Sequence, residues 1–184
     1  MASVCPWYVG YFLINPSRFL LQRPSKILAP HVKPGDVAFE PGPGMGFFTL
    51  ELARRVGPEG RVFTADIQPR MLKVLERRAA KAGVLSRIET RLASGSSLGA
   101  DDLAGLVDFV LAFAVVHEMP DIARFFAETG AVLKKGGRML LAEPRGHVTD
   151  CMFAEELQAA AKNGLRPAGH PPIWGSHTAV LDKD

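Results

Sequence analysis

The stretch that decides the fold is VAFEPGPGMGF, residues 37–47. A short run of strand character, Val37 to Glu40, leads into glycines at alternating positions, and apolar residues with helical spacing begin at Phe47. Glycines at such a turn let the backbone approach a ligand closely, and the first turn of the helix presents free N–H groups with a partial positive charge. The stretch therefore predicts a strand, a ligand-binding loop and a helix.

Apolar runs of strand length alternate with stretches of helical periodicity from Asp36 to Lys183. This alternation is typical of βαβ units and of a mostly parallel sheet, so the fold class is α/β. The predicted elements are strands at 37–40, 61–66, 88–92, 107–113 and 138–143, helices at 47–56, 69–82, 122–133 and 153–163, and a hairpin within 165–183.

Composition favours one packed domain. The 184 residues are 47% hydrophobic and 22% charged, and the net charge of +3 is spread along the chain rather than gathered in a basic block. The two cysteines, Cys5 and Cys151, are too few for a zinc cluster or a disulfide scaffold, which favours a reducing, cytoplasmic setting. The apolar stretch 9–21 contains Asn15, Pro16 and Arg18, so neither a signal peptide nor a membrane span is predicted.

The glycine spacing separates two kinds of ligand loop. Dinucleotide-binding enzymes use G-x-G-x-x-G, and the sixth position of that pattern is here Phe47, which disfavours a nicotinamide oxidoreductase. An acid, Glu40, followed by G-x-G-x-G instead resembles motif I of the class I S-adenosylmethionine-dependent methyltransferases, and among them the small-molecule enzymes of the ubiquinone and menaquinone biosynthesis type. The resemblance implies a Rossmann-like sheet of seven strands with helices on both faces and a C-terminal antiparallel hairpin.

The resemblance also implies a cofactor site. Gly42, Gly44 and Gly46 would wrap the amino-acid end of S-adenosylmethionine, and Glu40 would face its ammonium group. Asp66 ends the second strand about where a carboxylate accepts bonds from both ribose hydroxyls. The remaining implied contacts are Ile67 under the adenine ring, with a core position as its alternative, Ser94 where many members carry an acid, and Ala112 and Phe113 at the methionine end.

His117 follows the fourth strand, where the family often has a histidine facing the reaction centre. A neutral imidazole accepts a proton near pH 7, so His117 is the candidate catalytic residue, with a histidine bonded to backbone at a helix start as the alternative. Glu118 and Glu143 are candidate metal ligands beside it, but the spacing is not H-E-x-x-H, so no metal is predicted.

The function implied is in-line methyl transfer to a small-molecule acceptor, with S-adenosyl-L-homocysteine as product. A noncatalytic cofactor-binding or partner-binding module with the same fold is the alternative. We expect residues 33–184 to form the cofactor-binding domain.

We expect residues 1–32 to form a helical cover segment, whose aromatic residues suit an apolar acceptor. They are Trp7, Tyr8, Tyr11, Phe12 and Phe19. The segment could equally pack on the sheet or on a second subunit of a homodimer. Cys5 is a reactive thiol or a small apolar residue. The basic pairs Arg54–Arg55, Arg77–Arg78 and Lys134–Lys135 are interpreted as solvated helix faces. Nucleic-acid binding needs aromatics interleaved with the charge, which the sequence lacks.

Overall fold

The computed structural model describes residues 22–184, which divide into two compact units, 22–99 and 100–184. The aromatic residues of the predicted cover segment and Cys5 lie outside the described residues. No helix within 22–184 combines the length and the apolar character needed to cross a bilayer.

The first unit is a three-stranded parallel sheet with strand order β3-β2-β1. Its elements are α1 Pro24–Leu28, β1 Val37–Pro41, α2 Thr49–Val56, β2 Arg61–Asp66, α3 Pro69–Lys81 and β3 Ile88–Leu92. Proline opens α3, where its missing N–H costs nothing, and Gly57 ends α2 with a φ of 70°. Because parallel strands carry their carboxyl ends to the same edge, the residues that follow β1 and β2 meet there.

The second unit contains four strands in the order β4-β5-β7-β6, of which β4 and β5 are parallel and β7 is antiparallel to both of its neighbours. Its elements are β4 Val107–Phe113, α4 Ile122–Val132, β5 Leu133–Pro144, α5 Asp150–Ala161, β6 Leu165–Gly169 and β7 Ser176–Lys183. The α/β class, the seven strands and the closing antiparallel hairpin are confirmed.

Two elements begin three or more residues before their predicted starts. β5 begins at Leu133 rather than 138, because Gly136 and Gly137 form a bulge inside the strand instead of ending a helix. A Cβ on Gly137 would lie 2.9 Å from the Lys134 carbonyl oxygen, so the bulge accommodates glycine. α5 begins at Asp150 rather than 153, because the Thr149 side chain accepts the Met152 N–H and caps the helix there.

Candidate active site

The glycine loop after β1 has a left-handed backbone at each of its three glycines, with φ of 68° at Gly42, 53° at Gly44 and 80° at Gly46. Residues with a side chain rarely adopt these angles. At Gly46 the loop is also packed tightly, because a Cβ would lie 2.9 Å from Leu75 Cγ. At Gly44 a Cβ would meet no protein atom within 4 Å, so bare backbone borders open space. The loop has the form of a cradle for a ligand.

Glu40 lies at the start of this loop and is only 3% exposed. Its Oε2 accepts the hydroxyl of Thr49, the first residue of α2, at 2.6 Å. The hydrogen bond holds the carboxyl group in one position beside the loop. A carboxyl group in this position, when ionised, suits a cationic group such as an ammonium.

Asp66 ends β2 and joins the loop to the second strand. Its Oδ2 accepts the Gly44 N–H at 3.2 Å, and its Oδ1 accepts the Gln68 N–H at 2.8 Å. The carboxylate is 9% exposed, and a carboxylate oxygen can accept more than one hydrogen bond. The structure therefore places Asp66 in contact with the glycine loop, as the sequence predicted.

Ile67 and Ser94 follow β2 and β3, and both side chains are exposed. Ile67 is 41% exposed, so the alternative that it fills the core is wrong. An exposed isoleucine after the acid offers an apolar surface to a planar ring. Ser94 Oγ accepts the Ser96 N–H at 3.3 Å and is part of a tight turn closed with Ser97. The contacts of both residues with adenine stay predictions.

Ala112 and Phe113, at the end of β4, are buried and paired in parallel with Leu141 and Ala142. The next residue, Ala114, has a φ of 54°, an uncommon angle for a residue with a Cβ. Its N–H donates to the Ala142 carbonyl at 2.7 Å, which ends the strand and turns the chain sharply. The turn directs the three following backbone N–H groups toward the end of β5.

Glu143 receives those N–H groups. Its Oε1 accepts from Val115 and Val116 at 2.9 and 3.0 Å, and its Oε2 accepts from the His117 backbone at 3.3 Å and from His117 Nδ1. The carboxylate is completely buried. One side chain of β5 thus holds both the turn after β4 and the imidazole ring.

His117 is therefore bonded through its side chain, and the alternative of a histidine held by backbone is wrong. The bond from the ring to Glu143 raises the pKa of His117, and this outweighs the opposing effect of partial burial. Because Nδ1 carries the proton donated to Glu143, the neutral ring has its lone pair on Nε2. The arrangement is that of a histidine prepared to accept a proton.

Glu156, on α5, is a second buried acid that the sequence analysis did not single out. It is 1% exposed and its Oε2 has no hydrogen-bond partner among residues 22–184. Burial, together with the negative charge of Glu143, raises the pKa of Glu156 to about 8. Its burial could have been predicted from helical spacing, because Phe153, Glu156 and Ala160 share the buried face of α5.

The predicted site residues thus form one group in each unit. Glu40, the glycines and Asp66 meet in residues 22–99, while Ala112, Phe113 and His117 follow one another along β4 and its turn in residues 100–184. Within the described part of the chain, no three histidine, cysteine or acidic side chains are grouped as a metal site requires. Both carboxylate oxygens of Glu143 already accept hydrogen bonds from N–H donors, one of them on the His117 ring.

Comparison with known families supports the resemblance seen in the sequence. A model described as "Methyltransferase domain" matches residues 39–141. The chain is 32% identical over 125 residues, 68% of its length, to an arsenite methyltransferase of Halobacterium salinarum, and covers 30% of that protein. It is 33% identical over 112 residues, 61% of its length, to a ubiquinone/menaquinone biosynthesis C-methyltransferase of Teredinibacter turnerae, and covers 44% of it. The chain thus spans under half the length of these relatives.

Solved structures show the same fold. An S-adenosylmethionine-dependent methyltransferase from Aquifex aeolicus superposes with a TM-score of 0.84 at 21% identity, over 97% of this chain and 98% of that one. Geranyl diphosphate C-methyltransferase from Streptomyces coelicolor, solved with S-adenosyl-L-homocysteine, gives 0.67 at 17% identity, over 87% of this chain and 78% of that one. The predicted cofactor, S-adenosylmethionine, is that of the matched family. The chain belongs to the methyltransferase domain family.

Proposed function

We propose that this domain transfers the methyl group of S-adenosylmethionine to a small-molecule acceptor. The observation that carries the proposal is the left-handed glycine loop with a fixed carboxylate at each side, Glu40 from β1 and Asp66 from β2. Glu40 would bind the ammonium group, Asp66 the ribose hydroxyls, and the bare backbone of the loop the amino-acid chain between them.

The chemistry proposed for the residues of the second unit is proton removal. When bound, S-adenosylmethionine supplies a methyl group on a positively charged sulfur, so positioning provides much of the rate and a base is needed only for an acceptor that must lose a proton. For a hydroxyl or enol acceptor, His117 Nε2 would take that proton, while Glu143 stabilises the imidazolium that forms. The two curated relatives are an arsenite methyltransferase and a C-methyltransferase of ubiquinone and menaquinone biosynthesis, so both kinds of acceptor are tested below.

Asp66→Ala is expected to weaken binding of S-adenosyl-L-homocysteine by about 1–3 kcal/mol, because the bonds to the ribose hydroxyls are lost together with the support of Gly44. Isothermal titration calorimetry measures the change. Glu89→Ala, which removes an exposed acid from the neighbouring strand β3, is the matched control and should bind as the wild type does. Equal affinity of the Asp66 and Glu89 variants would refute the proposed ribose contact.

His117→Ala is expected to slow methyl transfer to a protonated acceptor by about 10²–10⁴-fold and to leave cofactor affinity unchanged. In the wild type, turnover should rise with pH as His117 loses its proton, with a midpoint above the ordinary value of 6.5 because Glu143 raises its pKa. His170→Ala, an exposed histidine bonded to the Thr178 carbonyl, is the control. Unchanged turnover in the His117 variant would leave that residue with a structural role only.

The acceptor class is tested with methyl-labelled cofactor and three kinds of compound: phenols and quinols, arsenite, and thiols. Phenols and quinols release a proton during transfer and should depend on His117, whereas arsenite and a thiolate should not. The alternative, a noncatalytic module with the methyltransferase fold, would bind the cofactor but transfer no methyl group. Cofactor binding without turnover on any of these compounds would favour the module.

A further inference from the structure

A cavity of about 250 Å³ lies among α1, α2 and α3 in the first unit. Three arginines from three different segments line it: Arg23, just before α1, Arg54 on α2 and Arg78 on α3. The remaining lining residues include the apolar side chains Phe47 and Leu50. Positive charge thus converges on one cavity that also has an apolar surface.

The acid in this cavity cannot balance that charge. Glu51 is the one carboxylate among its described lining residues, and it forms ion pairs with Arg54 at 3.6 Å and with Arg55 at 3.2 Å. A single negative charge is therefore already shared between two guanidinium groups of α2. The cavity as a whole keeps an excess of positive charge.

Arg78 lies close enough to Arg54 to be affected by its positive charge. Its side chain is half-buried, and its Nη1 donates to the Met45 carbonyl of the glycine loop. Burial and the neighbouring charge of Arg54 both lower the pKa of Arg78. Two guanidinium groups close enough to repel each other in a partly desolvated space are stabilised by an anion that bonds both.

We propose that this cavity binds an oxyanion, a phosphate or carboxylate group, carried on a small apolar body. Guanidinium groups match the geometry of both oxyanions through paired N–H donors, and Phe47 and Leu50 provide contact for the apolar part. The site is distinct from the cofactor cradle, where the groups that face the ligand are acidic. It does not depend on the proposed methyl transfer.

Binding is tested by nuclear magnetic resonance and calorimetry on the full chain with three probes of similar shape: phenyl phosphate, benzoate and phenol. The resonances of the cavity residues should report saturable binding of the two anions and none of phenol, and the tighter of the two anions identifies the preferred oxyanion. The double variant Arg23→Gln/Arg54→Gln should weaken anion binding on the order of tenfold or more, because two charge-assisted bonds are lost. Neither residue belongs to the cofactor cradle, so affinity for S-adenosyl-L-homocysteine should be unchanged and reports that the variant is folded.

Arg77→Gln is the matched control, because Arg77 precedes Arg78 on α3 but is exposed and outside the cavity. It should bind the anions as the wild type does. The proposal is overturned if phenol binds in this cavity as well as phenyl phosphate does, or if neither anion saturates there. It is also overturned if Arg77→Gln weakens binding as much as the double variant, since the effect would then be one of net charge.

Discussion

Glu143→Ala is expected to lower the free energy of unfolding by about 3–5 kcal/mol. The variant leaves the N–H groups of Val115, Val116 and His117 inside the protein without their acceptor. It also removes the partner that fixes the imidazole ring. Denaturation in urea, followed by circular dichroism, measures the loss.

Glu143→Gln provides a milder form of the same test. The amide keeps one acceptor oxygen but presents N–H donors to the donors of His117, so about half of the loss is expected. The pKa of His117, measured by nuclear magnetic resonance, should fall because the bond that raises it is gone. Glu155→Gln, an exposed acid on α5, is the control and should change neither quantity. If Glu143→Gln proved as stable as this control, Glu143 would not hold the turn after β4.

Stability should fall by about 3 kcal/mol between pH 5 and pH 8 on account of Glu156 alone. In the folded protein the pKa of Glu156 is about 8, against 4.5 for the free group, so the folded state retains a proton that the unfolded state releases. The stability contributed by the protonated acid is complete below pH 4.5 and is lost as the pH rises through 8. The cause is burial of an acid that would have to ionise beside Glu143.

Glu156→Gln carries no titratable group at this position, so its unfolding free energy should lack this part of the pH dependence. The measurement is a series of urea denaturations from pH 5 to pH 8 on the wild type and the variant. Glu155→Gln, one position earlier on the exposed face of α5, should keep the pH dependence of the wild type. Parallel curves for the wild type and Glu156→Gln would show that Glu156 is ionised throughout this range.

Much of the cofactor cradle could be predicted because its parts are local. Glu40 and the glycines are neighbours in sequence, and Asp66 follows from the rule that parallel strands end at one edge of a sheet. The predicted start of β5 was wrong because it depends on a neighbouring strand and not on the local sequence alone. A pair of glycines ends a helix or forms a strand bulge depending on the strand beside it, which for Gly136 and Gly137 is β4.

The role of Glu143 could not be predicted to the same extent. Its place at the end of β5 follows from the sequence, but its bonds depend on the left-handed turn at Ala114, a residue with no intrinsic preference for that angle. Only the packed structure maintains that turn. The fully buried carboxylate is what makes the three backbone N–H groups and the His117 ring converge.

The sequence by itself determined the α/β class, the glycine loop and its two acids, because periodicity, glycine spacing and strand ends are properties of the chain read in order. Only the tertiary structure decided which of two adjacent residues of the same type is exposed and which is buried or lines a cavity. Arg77 is exposed to solvent and Arg78 lines a cavity, while Glu155 is exposed and Glu156 is buried. Adjacent helical positions differ by about 100° around the axis, and what lies on each side is set by the elements packed there.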